Sequence, residues 1–197
     1  MVAILFEHPR AVMVRIPKTG STSIVRGIFG GVREGDVKHH GPIPLSWQQH
    51  YCFAFVRNPF ERMVSAFFMF QSYPVKNAEE RTFRDHLSLH SLMDVIQDDS
   101  IPLDKREYFS KLRVHSLPMT HSHFGLDSVD EIFRFEDYSQ SLKRLCQKLK
   151  VETIEVPHFR KKNRANWRTF FGPSELERAC ELLSLDCSTF GYSLDET

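Results

Sequence analysis

A short segment of small and hydroxyl-bearing residues, PKTGSTS at residues 17–23, has the composition of a loop that binds a phosphate-like anion. It follows a β-branched apolar run, AVMVRI at residues 11–16, and precedes apolar residues that recur at helical spacing. Small side chains let backbone N–H groups approach an anion, and a helix N-terminus adds partial positive charge. Lys18 supplies a full charge. The other candidate ligands of the anion are Thr19, Gly20, Ser21, Thr22 and Ser23.

The order of residues in this loop differs from that of the Walker A motif, in which the lysine follows the glycines. Here Lys18 precedes Gly20, and no neighbouring pattern indicates a magnesium site. The alternative interpretation of the loop is an ordinary strand-to-helix turn with a Ser or Thr cap.

A second candidate site follows another continuous apolar run, YCFAFV at residues 51–56, which predicts a buried strand. Arg57 comes directly after this run and before an Asn-Pro pair that is typical of a helix N-terminus. Ligands of open parallel sheets bind at the carboxyl ends of strands, where an arginine fork suits a phosphate group. Ser65 can add a hydroxyl if its helix face is turned toward the ligand. The alternative is that Arg57 pairs with Glu61 and that Ser65 only packs.

The elements that must position these residues alternate between strands and helices. A third strand is predicted at residues 131–135, and amphipathic helices at residues 139–149 and 174–183. Glycines and prolines predict a loop over residues 32–50. The pattern indicates an α/β fold with a mainly parallel central sheet flanked by helices, in a single domain spanning residues 1–197.

Composition excludes several classes of protein. The 26 Lys and Arg residues nearly balance the 25 Asp and Glu residues, which excludes a polycationic nucleic-acid binder. The four cysteines form no CxxC pair, which argues against a disulfide scaffold or a cysteine-based zinc site. No apolar run reaches the roughly 18 residues that cross a bilayer, and the N-terminus lacks the basic region of a signal peptide. We therefore expect a cytoplasmic protein with no membrane span and no nucleic-acid partner.

The charge is distributed unevenly along the chain. Residues 1–70 hold eight basic and four acidic side chains, and residues 158–168 hold five basic side chains and no acid. A neutral protein with two basic zones is suited to a compact anionic ligand. The alternative for residues 158–168 is a solvated basic loop.

Together, PKTGSTS and the segment FVRNPFERMVSAFF at residues 55–68 resemble the two cofactor motifs of sulfotransferases that use 3′-phosphoadenosine 5′-phosphosulfate (PAPS). The resemblance is closest to the carbohydrate branch, the heparan- and chondroitin-type enzymes and their bacterial relatives. The segments HSLPMT, EIFRFED and FGY, at residues 115–120, 131–137 and 190–192, extend it over most of the chain. It implies a P-loop-like three-layer fold.

The resemblance also implies roles for individual residues. In that family the first loop holds the 5′-phosphosulfate, and the Arg and Ser of the second motif hold the 3′-phosphate. Those roles fall here to Lys18–Ser23 and to Arg57 and Ser65. The late basic run is similar to a loop that closes the cofactor site, which implies that Arg160 and Lys161 lie over the 3′-phosphate and that Trp167 or Phe170 lines the adenine.

Sulfuryl transfer to a hydroxyl is an in-line displacement that needs a base, positive charge on the leaving oxygen, and positioning. Lys18 is the natural electrophilic stabiliser, 3′-phosphoadenosine 5′-phosphate (PAP) is the product, and no metal is required. Histidine is the usual base near neutral pH. His39 and His40 lie close to the His-Gly-His stretch of the heparan-type relatives, and we prefer His40.

Rival bases and rival functions stay open. His115, His121 and His123 compete for the role of base, and His121 and His123 with a distant cysteine could bind zinc. A P-loop-type nucleotide kinase or NTPase would share the fold, and a non-catalytic nucleotide-binding module would keep it without turnover. The acceptor is expected to be a small-molecule or glycan hydroxyl, on a carbohydrate by resemblance alone.

Overall fold

The computed structural model describes residues 2–104, 107–152 and 166–194. These residues divide into two compact units. The first unit contains residues 2–57 and 119–152, and the second contains residues 58–104, 107–118 and 166–194.

The chain is a mixed α/β protein. Its described strands are β1 (Ala3–Phe6), β2 (Ala11–Val14), β3 (Val37–His39), β4 (Cys52–Val56) and β5 (Glu131–Arg134). Its described α-helices are α1 (Ser21–Phe29), α2 (Pro59–Phe70), α3 (Ala78–Asp85), α4 (Leu89–Gln97), α5 (Tyr108–Ser116), α6 (Tyr138–Leu149) and α7 (Pro173–Phe190). In the described part of the chain, no helix combines the length and the apolar character needed to cross a bilayer.

The strands of the first unit form one sheet in the order β3-β1-β2-β4-β5. β2 pairs with β4, and β4 with β5, in parallel. β1 is antiparallel to both of its neighbours, β2 and β3. Among the described strands, therefore, all but β1 run in one direction, and the pairings are mixed rather than mainly parallel.

Two of these strands, β1 and β3, lie where the sequence predicted none. The prediction of a loop over residues 32–50 is wrong at Val37–His39, which is β3, and at Leu45–Trp47, which is a 3-10 turn. β3 has only three residues, and its first two side chains are exposed. Such a strand has no apolar pattern of its own and depends on its backbone pairing with β1.

Aromatic side chains build the core of the first unit. α1 and α6 contribute Phe29 and Leu142 to a cluster with the phenylalanines of the strands. The rings of Phe6 and Phe29 stack with centroids 3.7 Å apart, and those of Phe55 and Phe133 with centroids 5.1 Å apart. Each buried aromatic ring contributes about 2–3 kcal/mol through the hydrophobic effect. The phenylalanines of β4 and β5 therefore fix the sheet against these two helices.

The second unit begins with a well-capped helix. The side-chain Oδ1 of Asn58 accepts from the backbone N–H groups of Phe60 and Glu61, at 3.1 and 3.2 Å. Pro59 occupies the first turn, where its missing N–H leaves no partner unsatisfied. The predicted Asn cap and the predicted start of this helix are confirmed.

A buried arginine joins two helices of this unit. Arg62, which is 1% exposed, donates to the carbonyl oxygens of His115, Ser116 and Leu117 at the end of α5. The last carbonyls of a helix have no intrahelical donor, so a side chain from elsewhere must satisfy them when they are buried. Arg62 of α2 supplies that cap and fixes α2 against α5.

Replacing Arg62 with Met should lower the free energy of unfolding by about 3 kcal/mol, because buried carbonyl oxygens lose their donor. Urea denaturation measures the change, and Arg62→Lys, which keeps one donor group, should lose less. Arg81→Met is the matched control, since Arg81 is exposed on α3, and it should change stability by less than about 0.5 kcal/mol. Equal losses in Arg62→Met and Arg81→Met would contradict the capping role.

Candidate functional site

The loop between β2 and α1 has a backbone suited to an anion. Lys18 and Gly20 both have left-handed conformations, with φ of 71° and 80°. Left-handed residues that interrupt a turn make successive N–H groups point into a shared concavity. α1 begins at Ser21 directly after this turn, and because its N-cap is Gly20, no capping side chain occupies the helix N-terminus. The sequence prediction of a strand, a small-residue loop and a helix is confirmed here.

The hydroxyl groups of this loop have different uses. Thr19 is fully buried, and its Oγ1 donates to the carbonyl oxygen of Ile16 at 2.8 Å. That bond closes the loop, so the hydroxyl proton of Thr19 is not available to an anion. Ser21 and Ser23 are buried in the first turn of α1, and Thr22 is half-buried.

Gly20 is held in close contact with two aromatic rings. A Cβ on Gly20 would lie 2.8 Å from Cε2 of Phe135 and 3.2 Å from Cε2 of Tyr138. Both this close approach and the left-handed φ require glycine. Burial raises the pKa of Tyr138 above its ordinary value, so its phenol stays protonated near neutral pH and does not serve as a base.

Arg57 lies beside the same loop. Its Nη1 donates to the carbonyl oxygen of Lys18 at 3.4 Å, a long hydrogen bond. Its Cζ lies 4.8 Å from the centroid of the Phe135 ring. The parallel pairing of β2 with β4 and of β4 with β5 puts these residues at one edge of the sheet. The structure thus brings together Lys18, Gly20 and Arg57, and it adds Phe135, which the sequence did not single out.

The preferred histidines lie at the same edge of the sheet. His39 ends β3 and is in register with Ala3 of β1, which is in register with Val14 of β2. Two strand spacings, about 10 Å, therefore separate the backbones of His39 and Val14. His40 is exposed and follows directly. Neither histidine could be assigned to this edge from the sequence, because β3 was not predicted.

The rival histidines of the first unit lie on a loop that packs against the segment after His40. A Cβ on Gly125 would lie 2.7 Å from Cβ of Pro42. Nδ1 of His121 accepts from the backbone N–H of His123 at 3.0 Å. Among the described residues, no group of three or more His, Cys, Asp and Glu side chains is arranged to hold a metal.

The remaining predicted residues belong to the second unit or fall outside the described residues. In the second unit, His115 of α5 donates from Nδ1 to the carbonyl oxygen of Lys111 at 2.7 Å. Ser65 is buried in α2, so its role stays a prediction. Arg160 and Lys161 lie outside the described residues, and nothing in the structure bears on them.

The expected adenine contact by Trp167 is not what the described residues favour. Its ring is 5% exposed and stacks on Phe60 with centroids 4.6 Å apart. The guanidinium carbon of Arg168 lies 4.6 Å from the same ring. Trp167 is a core residue of the second unit. The other candidate, Phe170, packs edge-on against Phe68.

Arg15 is a second residue that the sequence did not single out. It follows β2 and is half-buried, and its Nε is buried with no hydrogen-bond partner in the described part of the chain. Burial lowers the pKa of Arg15 below its ordinary value. A buried N–H without a protein partner favours a ligand that can accept from it. The apolar run that predicts β2 gives no sign of this role, because Arg15 comes just after the strand.

A family model described as "Sulfotransferase family" matches residues 32–193 of this chain. That stretch covers more than half of the chain. The chain belongs to the sulfotransferase family. The matched stretch includes Arg57 and Phe135 but begins after the PKTGSTS loop. No curated protein and no solved structure matches the chain.

The site of this sulfotransferase fits an anionic sulfuryl donor. The N-terminus of α1 and the left-handed turn before it present backbone N–H groups. Lys18 and Arg57 add positive charge at that turn. The arrangement can bind a group with several negative oxygens and stabilise charge that develops on one of them.

Replacing Gly20 with Ala should destabilise the protein more than replacing Gly31 with Ala. Both glycines have positive φ, so both substitutions strain the backbone by about 1–2 kcal/mol. Only the Cβ at Gly20 meets a ring, since nothing lies within 4 Å of the Cβ position at Gly31. The collision should add about 1–3 kcal/mol. Urea denaturation of both variants measures the difference, and equal losses would show that Phe135 does not confine the loop.

Proposed function

We propose that this sulfotransferase moves a sulfuryl group from PAPS to an acceptor hydroxyl, on a carbohydrate, and that residues 1–197 form one sulfotransferase domain of the P-loop-like, three-layer type. The observation that carries the proposal is the convergence of the Lys18 loop and Arg57 at one sheet edge, with Nη1 of Arg57 3.4 Å from the carbonyl oxygen of Lys18. Two motifs far apart in sequence thereby form one anion-binding surface.

The donor site uses backbone groups at one end and side chains at the other. The backbone N–H groups at the N-terminus of α1 and the ammonium of Lys18 bind the 5′-phosphosulfate, since helix N-termini favour anions. The N–H of Ser23 already donates to the carbonyl oxygen of Gly20, at 2.9 Å. Arg57 binds the 3′-phosphate as a fork, together with the hydroxyl of Ser65. Arg160 and Lys161 complete the 3′-phosphate site.

Transfer is an in-line displacement at sulfur. The acceptor oxygen forms a bond to sulfur while the bond from sulfur to the bridging phosphate oxygen breaks, and PAP leaves. Lys18 stabilises the negative charge that develops on the bridging oxygen. A histidine takes the proton from the acceptor hydroxyl, so charge and atoms balance without a metal.

His40 is the preferred base, and His39 is the second choice. The register of β3, which lies two strands from β2, supports this assignment, because it brings the end of β3 to the sheet edge at which the Lys18 loop begins. The packing of Gly125 on Pro42 keeps His121 and His123 as alternatives on an adjoining loop.

The acceptor is a neutral or lightly charged molecule. Residues 71–150, which include the segment expected to form the acceptor wall, contain twelve basic and thirteen acidic side chains. Such a balance gives no general attraction for a long, heavily sulfated chain. A small molecule or a glycan with a free hydroxyl fits this charge.

Calorimetric titration should detect tight binding of PAP without magnesium, and Arg57→Ala should weaken it about 10- to 100-fold, because charged hydrogen bonds to the 3′-phosphate are lost. Arg10→Ala is the matched control, since Arg10 is exposed beside the opposite, amino end of β2. It should leave the affinity unchanged. Magnesium-dependent hydrolysis of ATP with no PAP binding would instead support the kinase or NTPase, and PAP binding with no turnover of any acceptor would support the non-catalytic module.

Replacing His40 with Ala should lower kcat about 10²- to 10⁴-fold, since general base catalysis contributes that much, while PAP affinity stays unchanged. A screen of acceptors with labelled PAPS provides the assay. His39→Ala and His121→Ala test the alternatives in the same assay, and the exposed His90 of α4 provides the control variant His90→Ala. Unchanged turnover with both His39 and His40 replaced would remove this pair from the mechanism without affecting the donor site.

A further inference from the structure

Phe135 contacts two parts of the candidate site that are far apart in sequence, the Gly20 loop and Arg57. It is the first residue after β5, and its backbone N–H donates to the carbonyl oxygen of Val56 at 2.8 Å. That bond continues the β4–β5 ladder by one residue and places Phe135 beside Arg57, which follows Val56. The ring is half-buried and tilts against Tyr138, with centroids 5.4 Å apart.

One part of the ring confines the loop. The Cε2 and Cδ2 atoms lie 2.8 and 3.0 Å from the position that a Cβ of Gly20 would take. The backbone of Gly20 therefore packs directly against the ring edge. A loop in left-handed conformation needs surrounding contacts to keep it in one shape, because such conformations are strained.

The same ring supports the guanidinium of Arg57, whose Cζ is 4.8 Å from the ring centroid. This distance is within the range of a cation–π interaction. A guanidinium that lies on a ring keeps its N–H donors in its own plane, where they can bind an anion at the same time. The ring thus restricts where Arg57 can lie without competing for its donors.

We infer that Phe135 is a positioning residue that holds the Gly20 loop and Arg57 in one fixed arrangement, so that a single nucleotide can be bound at both phosphate ends. The inference deepens the proposed function and rests on it. Phe135 does not touch the reacting atoms; it acts through Gly20 and Arg57. Its loss should therefore weaken recognition of a ligand with both phosphate groups more than recognition of a ligand with only one.

The test is a comparison of two nucleotides by calorimetry. Wild-type protein should bind PAP more tightly than adenosine 5′-phosphate, which lacks the 3′-phosphate. Phe135→Leu should reduce this preference about three- to tenfold, the range expected for a cation–π contact. In an Arg57→Ala background, Phe135→Leu should change the preference no further, because both substitutions remove the same contribution.

Control variants separate positioning from folding. Phe135→Tyr keeps the ring and should keep the preference, and Phe135→Met fills the volume without a ring and should lose it if Phe135→Leu does not fold. Phe133→Leu removes a buried ring of β5, two positions before Phe135. It should lower the free energy of unfolding while leaving the preference for PAP intact.

The outcomes distinguish the inference from the function on which it rests. A wild-type protein that does not bind PAP overturns both. A wild-type protein that prefers PAP, together with a Phe135→Leu variant that keeps the full preference, overturns the positioning role alone. Equal weakening of both nucleotides in Phe135→Leu also overturns it, because that result indicates only a structural role.

Discussion

The contact between Gly20 and the ring of Phe135 is the constraint on which the candidate site depends. The chain must turn from β2 into α1 within a few residues, and it does so with left-handed backbone at Lys18 and Gly20. A ring edge 2.8 Å from the Cβ position leaves no space for any other residue at Gly20. The same ring then supports Arg57. The conformation of the loop and the position of Arg57 therefore both depend on the ring of Phe135.

Strand order explains why residues far apart in sequence meet. β4 lies between β2 and β5 and is parallel to both. Parallel neighbours end at the same edge, so the residues that follow each strand converge there. Lys18, Arg57 and Phe135 each come after one of these strands. β1 pairs antiparallel with both β2 and β3, and the register of these pairs places His39 at the same edge.

Local signals made part of this structure predictable. The strands β2 and β4 are continuous apolar runs, and the Asn58-Pro59 pair marks the start of α2, so these elements follow from short stretches of sequence. β3 could not be predicted, because Val37–His39 forms a strand only through its pairing with β1. The role of Phe135 depends on the register of β4 with β5, and no local pattern encodes register across 78 residues, as between Phe53 and Glu131.

The candidate site, like the fold, could be predicted from the sequence only in part. Lys18, Gly20 and Arg57 stand in motifs that can be recognised by composition and order, and they lie together. The hydroxyl of Thr19 makes it a candidate phosphate ligand in the sequence, but that hydroxyl donates to the carbonyl oxygen of Ile16. Arg15 could not be singled out, because its partnerless Nε is a property of burial. Sequence thus identifies candidate residues by their type, and structure identifies candidates by their position.

Lys18 supplies both a positive charge and a carbonyl acceptor, and a glycine at its position would supply only the acceptor. A left-handed conformation strains a lysine by about 1–2 kcal/mol and would not strain a glycine. Glycine would nevertheless remove the charge beside the candidate anion site. The left-handed backbone also turns the Lys18 carbonyl toward Arg57, which donates to it at 3.4 Å. The strain at Lys18 is therefore linked to its two contributions. Its ammonium is one cation, and its carbonyl oxygen accepts from Arg57, the second cation. Backbone strain retained in this way is typical of a binding site rather than of a connecting turn.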